Sequence, residues 1–374
     1  MHTLAVIVNY KSADLTLKAV QSGLESLSLG PVQVVVVDNS EDEAEAGRLR
    51  QGLPSSVRLE IRPRNMGFGR ACNLAVDGFL GDAILLLNPD AKLLPGCLNR
   101  LQKTLFASPK TGAVSPHLFW DECCRFYLPS SFPPPSFPFQ DVLASAPPES
   151  GMARVLSGWW RRHSIKVWAS TGPTRVGNLS GGLVLVKTEA VQVAGGLFDP
   201  RFFLYFEDTD LFVRMKKAGF TLMVEPRAQA VHNYDQCGQD KLERKRSLMA
   251  QSRQRFAEKY RRGWRRGARK MISGIKWFSR DAKSSFARPP FTQPFGIRIP
   301  DTIQDGWLFE VSPNPSFIPS AGRFGKGPRV EFPEACWRLQ APGPYFGRLG
   351  SPKRLETRFL KFSWRVGAST RPEC

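Results

Sequence analysis

The stretch Val32-Gln33-Val34-Val35-Val36-Val37-Asp38, "VQVVVVD", decides the fold. Its consecutive valines leave no polar face. β-Branched side chains favour an extended backbone, and a strand apolar on both sides has to be covered on both sides. Upstream, "LAVIV" (4–8) is a second such run, and between the two Leu17, Val20, Leu24 and Leu27 form one helical stripe. Downstream, "EDEAEAGRLRQGL" (41–53) reads as a helix and "VRLEI" (57–61) as a third strand. "GRACNLAVDGF" (69–79) is expected to be a helix, "AILLLNPDA" (83–91) a strand stopping at Asn88-Pro89, and "PGCLNRLQKTL" (95–105) another helix. Apolar strands alternating with helices predict an α/β protein whose mostly parallel sheet carries helices on both faces. Ligands on such sheets bind beyond the carboxyl ends of the strands. Asn9, Asp38 and Asp90 fall at such ends and are expected to line one crevice.

With 374 residues, 42% of them hydrophobic, the chain can bury a large core, which excludes global disorder. No apolar run approaches a membrane span, and "LAVIV" is too short, without a basic lead-in, for a signal-peptide core. The expected location is therefore cytoplasmic. Seven scattered cysteines with no CxxC pair give no zinc or disulfide framework. The formal net charge is +20, and residues 241–280 alone hold 15 Lys or Arg against two Glu. A basic block of this kind suits an anionic partner, and Trp264, Ile272, Ile275, Trp277 and Phe278 among the cations suggest peripheral attachment to an anionic membrane face. The excess lies outside the predicted crevice, so no specific nucleic acid is expected.

Residues 125–175 change character: "LPSSFPPPSFPF" cannot be regular structure, and Trp159, Trp160 and Trp168 beside Arg161 and Arg162 suit either an acceptor-stacking surface or an apolar anchor for a long loop. "GNLSGGLVLVK" (177–187) restores a strand. A helix is expected from Asp210, a strand over "TLMVEP" (221–226), and a basic helix after His232 ending near Gly263. Beyond about residue 281, short β-like pieces cut by Pro and Gly predict a small β-rich module. Its removal is expected to leave the chemistry intact, and Trp307, Trp337, Tyr345 and Trp364 to form its own core or to contact glycan.

A dinucleotide enzyme is excluded, because the first strand runs into Asn9-Tyr10-Lys11-Ser12 with no glycine loop for a pyrophosphate. Gly67-Phe68-Gly69 is half a fingerprint, but Asn73 stands where a third glycine belongs. Without a backbone cradle, a diphosphate can be held by Mg²⁺ or Mn²⁺ bound through carboxylates and phosphates. Asp90, on the turn after a buried strand, could supply one ligand, although Asn-Pro-Asp alone is equally a plain turn. "FLYFEDTDL" (203–211) puts Glu207, Asp208 and Asp210 together in a strongly basic chain, which is costly unless a cation or a proton is expected there.

The ordered segments "VIVNYKS" (6–12), "VVVVDNSED" (35–42), "NMGFGRACN" (65–73), "LLLNPDA" (85–91), "LSGGLVLVK" (179–187), "GGLFDPRFFLYFEDTDLFVRMKKAGF" (195–220) and "AVH" (230–232) resemble glycosyltransferase family 2, inverting enzymes of GT-A type, and within it bacterial rhamnosyltransferase-like members. The resemblance covers roughly residues 3–262, which it marks as a catalytic domain, followed by a basic linker at 263–280 and the accessory module at 281–374. It implies transfer of a sugar from a nucleotide-diphosphate donor of dTDP-rhamnose or UDP-sugar type to a glycan or lipid-linked acceptor in cell-surface polysaccharide synthesis, at the inner face of the membrane. By resemblance, Asp38 recognises the base, Asn9, Asn65 and Asn73 approach the nucleotide, and Asp90 meets metal and diphosphate. Asn88 replaces the first acid of the family's D-x-D motif and can still bind a ribose hydroxyl. Lys187-Thr188 stands where relatives often carry paired arginines. Asp208 resembles the general base, with Glu207 as orienting neighbour or alternative base, and His232 resembles a histidine near metal or diphosphate, although a lone histidine is equally a structural one. Read from the residues alone, Asp208 and Asp210 can equally cap the helix they precede, with Arg214 one turn after Asp210 and placed to pair with it. A sugar nucleotidyltransferase would want a glycine-rich basic loop after the first strand, which "NYKSAD" is not. A non-catalytic basic nucleic-acid or membrane binder is the other alternative.

Overall fold

The valine-rich runs do become strands, and the helices between them cover their faces. The computed structural model describes residues 1–26, 28–131, 150–233, 242–260, 291, 293–353 and 359–367. In chain order the elements are β1 (Thr3–Asn9), α1 (Ala13–Glu25), β2 (Val32–Asp38), α2 (Glu43–Gly52), β3 (Val57–Ile61), α3 (Phe68–Val76), β4 (Ala83–Leu87), β5 (Ala91–Leu93) and α4 (Cys97–Phe106). Then come β6 (Thr111–Phe119), β7 (Tyr127–Leu128), α5 (Gly151–Trp168), β8 (Thr174–Val176), β9 (Leu183–Lys187), α6 (Thr188–Val193), α7 (Glu207–Lys217), β10 (Thr221–His232) and α8 (Leu242–Tyr260). The last part holds β11 (Gly296–Arg298), β12 (Trp307–Ser312), β13 (Ala321–Gly325), β14 (Arg329–Glu331), α9 (Glu334–Arg338), β15 (Gly343–Gly350) and β16 (Leu360–Val366).

The chain divides into two compact units, each assembled from three stretches: residues 1–118, 130–135 and 170–265 in the first, and 119–129, 136–169 and 266–374 in the second. In the first unit the sheet runs β3-β2-β1-β4-β9-β6. Strands β1 to β4 are parallel to one another, with Asn9 across from Asp38, while β9 is antiparallel to both β4 and β6. Every residue of β1, β4 and β9 is buried, as a sheet covered on both faces requires. β10 is far longer than "TLMVEP" suggested and pairs antiparallel with both β5 and β8. β6, unnoticed in the sequence, is buried throughout despite Pro116; its ladder with β9 runs over Ala113 and Val114, ahead of the proline. α2 starts where Asp42 caps it, its Oδ1 accepting from Ala44 N at 2.9 Å. Lys187 donates to the carbonyls of Ser108 and Pro109, just past the end of α4.

The second unit carries the sheet β16-β15-β12-β13-β7 and the pair β11-β14. Besides the stretch from residue 266 on, the unit takes in β7 and α5. Residues 151–168 are a helix rather than part of a long loop, capped by Ser150, which accepts from Ala153 N at 3.2 Å. Trp160 and Trp168 are buried and only Trp159 is largely exposed. Trp168 Nε1 donates to Leu128 O, and Arg161 Nε lies 2.7 Å from the fully buried Glu310. Arg348 holds both oxygens of that carboxylate at 2.7 and 2.8 Å. Burial pushes Glu310 up, but Arg348 and Arg161 more than offset it and hold its carboxyl below the usual range. Trp307, Trp337, Tyr345 and Trp364 are buried core residues; Trp337, Tyr345 and Trp364 form one aromatic cluster with Phe295, Phe309, Phe332 and Phe362.

Among the described residues no helix is long and apolar enough to cross a membrane. The basic stretch beyond Tyr260, with Trp264, Ile272, Ile275, Trp277 and Phe278, lies outside the described residues.

Candidate functional site

The parallel register brings Asn9 and Asp38 side by side at the ends of β1 and β2. Asn9 Nδ2 donates to Asp38 Oδ1 at 2.9 Å and lies within 3.2 Å of Glu45 Oε2, while its own Oδ1 accepts from Thr16 and Ser12. Ser40 completes the group, donating from N and Oγ to Asp38 Oδ1. These bonds set the loop after β1 against the loop after β2.

Asn65 caps its own turn: its Oδ1 accepts from Gly67 N at 2.9 Å. Gly67 has φ +84°, and a Cβ there would lie 2.5 Å from Phe203 O, so only glycine fits the turn. Phe68 N donates to that same carbonyl at 2.9 Å. Asn73 is engaged elsewhere, its amide bonded both ways to the backbone of Phe198 at 2.8 and 3.0 Å. It ties α3 to the segment leading to α7.

That segment is held from both sides. Ser252 Oγ of α8 donates to Leu204 O at 2.7 Å, and the rings of Phe206 and Phe256 lie 5.5 Å apart. Tyr205 and Phe206 both adopt left-handed backbone, with φ of 70° and 67°. Each costs roughly 1–3 kcal/mol and persists because its surroundings hold it. The turn starts α7 at Glu207, three residues before the expected Asp210, and so puts all three carboxylates in its first turn, where the helix amides favour negative charge.

The three carboxylates then part company. Asp210 is fully buried and structural: its Oδ2 meets Arg214 Nε at 2.8 Å, and its Oδ1 meets Lys259 Nζ and Tyr260 OH at 2.6 Å each. Arg214 also donates to the carbonyls of Ala194, Gly196 and Leu197, locking the turn that follows α6. Asp208 is half-buried; its Oδ2 accepts from Gly181 N at 2.9 Å and its Oδ1 from Thr209 N and Oγ1. Burial raises its pKa, opposed by those bonds from Thr209 and Gly181. Glu207 is buried against α3, with Oε2 lacking any hydrogen-bond partner. Burial, then the charge of Asp208, pushes its carboxyl up to about 8. Of these two neighbouring carboxyls, burial favours the protonated form of Glu207, whose Oε2 has no hydrogen bond to hold a charge, whereas the bonds from Gly181 and Thr209 favour the charged form of Asp208.

Asp90 and His232 meet because β5 and β10 pair with Ala91 across from His232. Both side chains are buried, and His232 Nε2 lies 3.1 Å from Asp90 Oδ1. Gly182 is pressed against this pair: a Cβ there would lie 2.6 Å from His232 Cε1 and 3.1 Å from Asn88 Nδ2. At Gly181 a Cβ would meet Asp208 Cβ at 2.7 Å. Ser180-Gly181-Gly182 is therefore the hub on which Asn88, the Asp90–His232 pair and Asp208 converge. Sequence reading saw it only as the lead into a strand. Its signal was two adjacent glycines before a buried strand, which mark close approach. The α8 residues Lys259 and Tyr260 were also missed, being visible only as part of a basic helix. Among the described residues no three His, Cys, Asp or Glu gather as a metal cluster. An aspartate oxygen and an imidazole nitrogen at this spacing nevertheless suit a cation that takes its remaining ligands from a substrate's phosphates.

The family model for Glycosyl transferase family 2 matches residues 4–166. N-acetylglucosaminyl-diphospho-decaprenol L-rhamnosyltransferase from two strains of Mycobacterium tuberculosis, CDC 1551 / Oshkosh and H37Rv, is 31% identical over 231 residues, 56% of this chain and 70% of the relative. Among solved structures, GalNAc-T7 with UDP, GalNAc and Mn²⁺ aligns with a TM-score of 0.47 and 16% identity over 69% of this chain and 48% of that one, so this chain spans about half its length. The mannosyltransferase PcManGT from Pyrobaculum calidifontis, in complex with GDP-Man and Mn²⁺, aligns with a TM-score of 0.39 and 20% identity over 63% of this chain and 58% of that one. Close to a third of positions are shared with the mycobacterial enzymes along more than two thirds of their length, so this protein is a glycosyltransferase and belongs to glycosyltransferase family 2.

Proposed function

We propose that the protein moves a sugar, with inversion, from a nucleoside-diphosphate donor of dTDP-rhamnose or UDP-sugar type to a hydroxyl of a lipid-linked glycan acceptor in cell-surface polysaccharide synthesis. The observation that carries this reading is the convergence of Asp208 and the Asp90–His232 pair on Gly181-Gly182. The mycobacterial relatives, which transfer L-rhamnose to N-acetylglucosaminyl-diphospho-decaprenol, support the sugar and acceptor classes.

In this reading Asp208 takes the proton of the acceptor hydroxyl as its oxygen bonds to the anomeric carbon. The bond from that carbon to the donor's diphosphate breaks on the opposite face, and the nucleoside diphosphate leaves. Glu207, holding its proton below about pH 8, keeps the Asp208 charge from being shared. Asn9 and Asp38 face the nucleotide, Asn65 shapes the turn into α3, and Asn88 takes a ribose hydroxyl. Asp90 and His232 would hold Mg²⁺ or Mn²⁺, which when bound neutralises the charge of the departing diphosphate. The work takes place at the inner face of a membrane, where lipid-linked acceptors lie.

The deciding experiment is a panel of nucleotide sugars assayed for donor hydrolysis and transfer, with Mn²⁺ and with EDTA. Turnover of one donor that is lost in EDTA and in Asp90→Asn is expected. Cation-independent turnover would remove the metal, and no turnover of any donor would overturn the reading.

A further inference from the structure

Between α3, α8 and the segment 199–206 lies a cavity of about 920 Å³. Arg70, Arg201, Arg244, Arg255 and Lys259 line it, against one carboxylate, Glu258. Arg201 and Lys259 share Asp199. Among the described residues Arg70 and Arg255 have no carboxylate partner: Arg70 Nε donates to Pro200 O at 3.1 Å, and Arg255 to Arg201 O. Each guanidinium is thereby oriented by a neutral carbonyl while keeping donors and its whole charge for something else. Phe203 and Leu248 give the same cavity an apolar side. Like charges gathered around one space repel unless an anion is meant to enter it.

We infer that this cavity binds the diphosphate of the acceptor, the anionic link between its sugar and its lipid chain. The inference rests on the transfer reading above. The donor is a poorer occupant, since Asn9, Asp38 and Asp90 are all absent from the lining. Phe203 lines the cavity on the segment that leads into α7 and Asp208. Guanidinium forks match phosphate oxygens in pairs, and the apolar side suits the first carbons of a lipid.

The test separates binding from turnover. Calorimetry in EDTA, with a short-chain alkyl diphosphate as the probe, should show binding that Arg70→Ala and Arg255→Ala each weaken about tenfold, and that Asp90→Asn leaves unchanged. Both arginines are exposed, so the variants should melt with the parent. In transfer assays in neutral detergent, KM for a diphosphate-linked acceptor should rise while kcat and donor KM hold. Equal probe affinity in parent and double variant would overturn the inference. So would a donor KM rising in step with the acceptor's. Lost flotation on phosphatidylglycerol vesicles with unchanged probe binding would give the cations to lipid headgroups and overturn it as well. Probe binding that depends on both arginines, in a protein that turns over no donor, would keep the diphosphate site and remove the transfer reading instead.

Discussion

At the scale of single residues, the cluster 207–210 separates into three roles that substitution can tell apart. Asp208→Asn keeps size and an acceptor oxygen for Gly181 N, so folding and nucleotide binding should hold, by melting and by calorimetry with UDP or dTDP. Transfer should fall by roughly 10²–10⁴, the usual worth of a positioned base. Asp210→Asn should do the reverse. It removes the charge that Arg214 and Lys259 face in a buried site, and should cost about 3 kcal/mol of stability, with far less effect on kcat. Glu207 has a pH signature. Its carboxyl ionises near 4.5 in the unfolded chain but near 8 in the folded one, so the folded state binds the extra proton and stability declines as pH rises across that window. Glu207→Gln should flatten the decline and stabilise the protein above pH 8 by on the order of a few kcal/mol in denaturant titrations. The rising limb of the transfer–pH profile should stay where it is, because Asp208 ionises beside a neutral group in both proteins, a protonated Glu207 or the amide that replaces it. A limb that moves would mean that Glu207 is charged while Asp208 titrates.

At the scale of elements, the parallel half was legible because β1 and β2 are valine-rich runs that admit no other reading. The carboxylates were legible too, since acids clustered in a basic chain demand a reason. The start of α7 was not. Two aromatic residues, Tyr205 and Phe206, take the left-handed conformation, and nothing in their chemistry announces it. α5 was hidden by the proline run before it, although Ala153, Leu156, Trp160 and Val167 keep helical spacing. The glycine hub was hidden for another reason: what Gly181 and Gly182 touch is set by β9, β10 and α7 meeting in space. Gly182→Ala should push His232 away from Asp90 and lower transfer by roughly 10²-fold, the cost of a misplacement near 1 Å. Gly47→Ala in α2 is the control. It has open space for a methyl, and should gain about 0.5–1 kcal/mol with activity unchanged.

At the scale of the whole molecule, removal of the C-terminal module should reach into α5, which belongs to the same unit. A chain ending near residue 290 would keep α5 but lose Glu310, leaving the buried Arg161 with no counter-ion and Trp168 without the Gly322 backbone against which it packs. Removing one partner of a buried pair costs about 3–5 kcal/mol, so the truncated protein should aggregate, whereas Glu310→Gln in the full chain should fold with a lowered melting temperature. The interleaving of the two units reaches further, into how such a protein can be shuffled. Because each unit draws on three separated stretches, no single excision yields either one as a cassette. A chimera joined to a relative anywhere between residues 119 and 265 inherits mismatched halves of both units, so exchange of specificity between family members has to proceed by substitution within the frame rather than by swapping blocks.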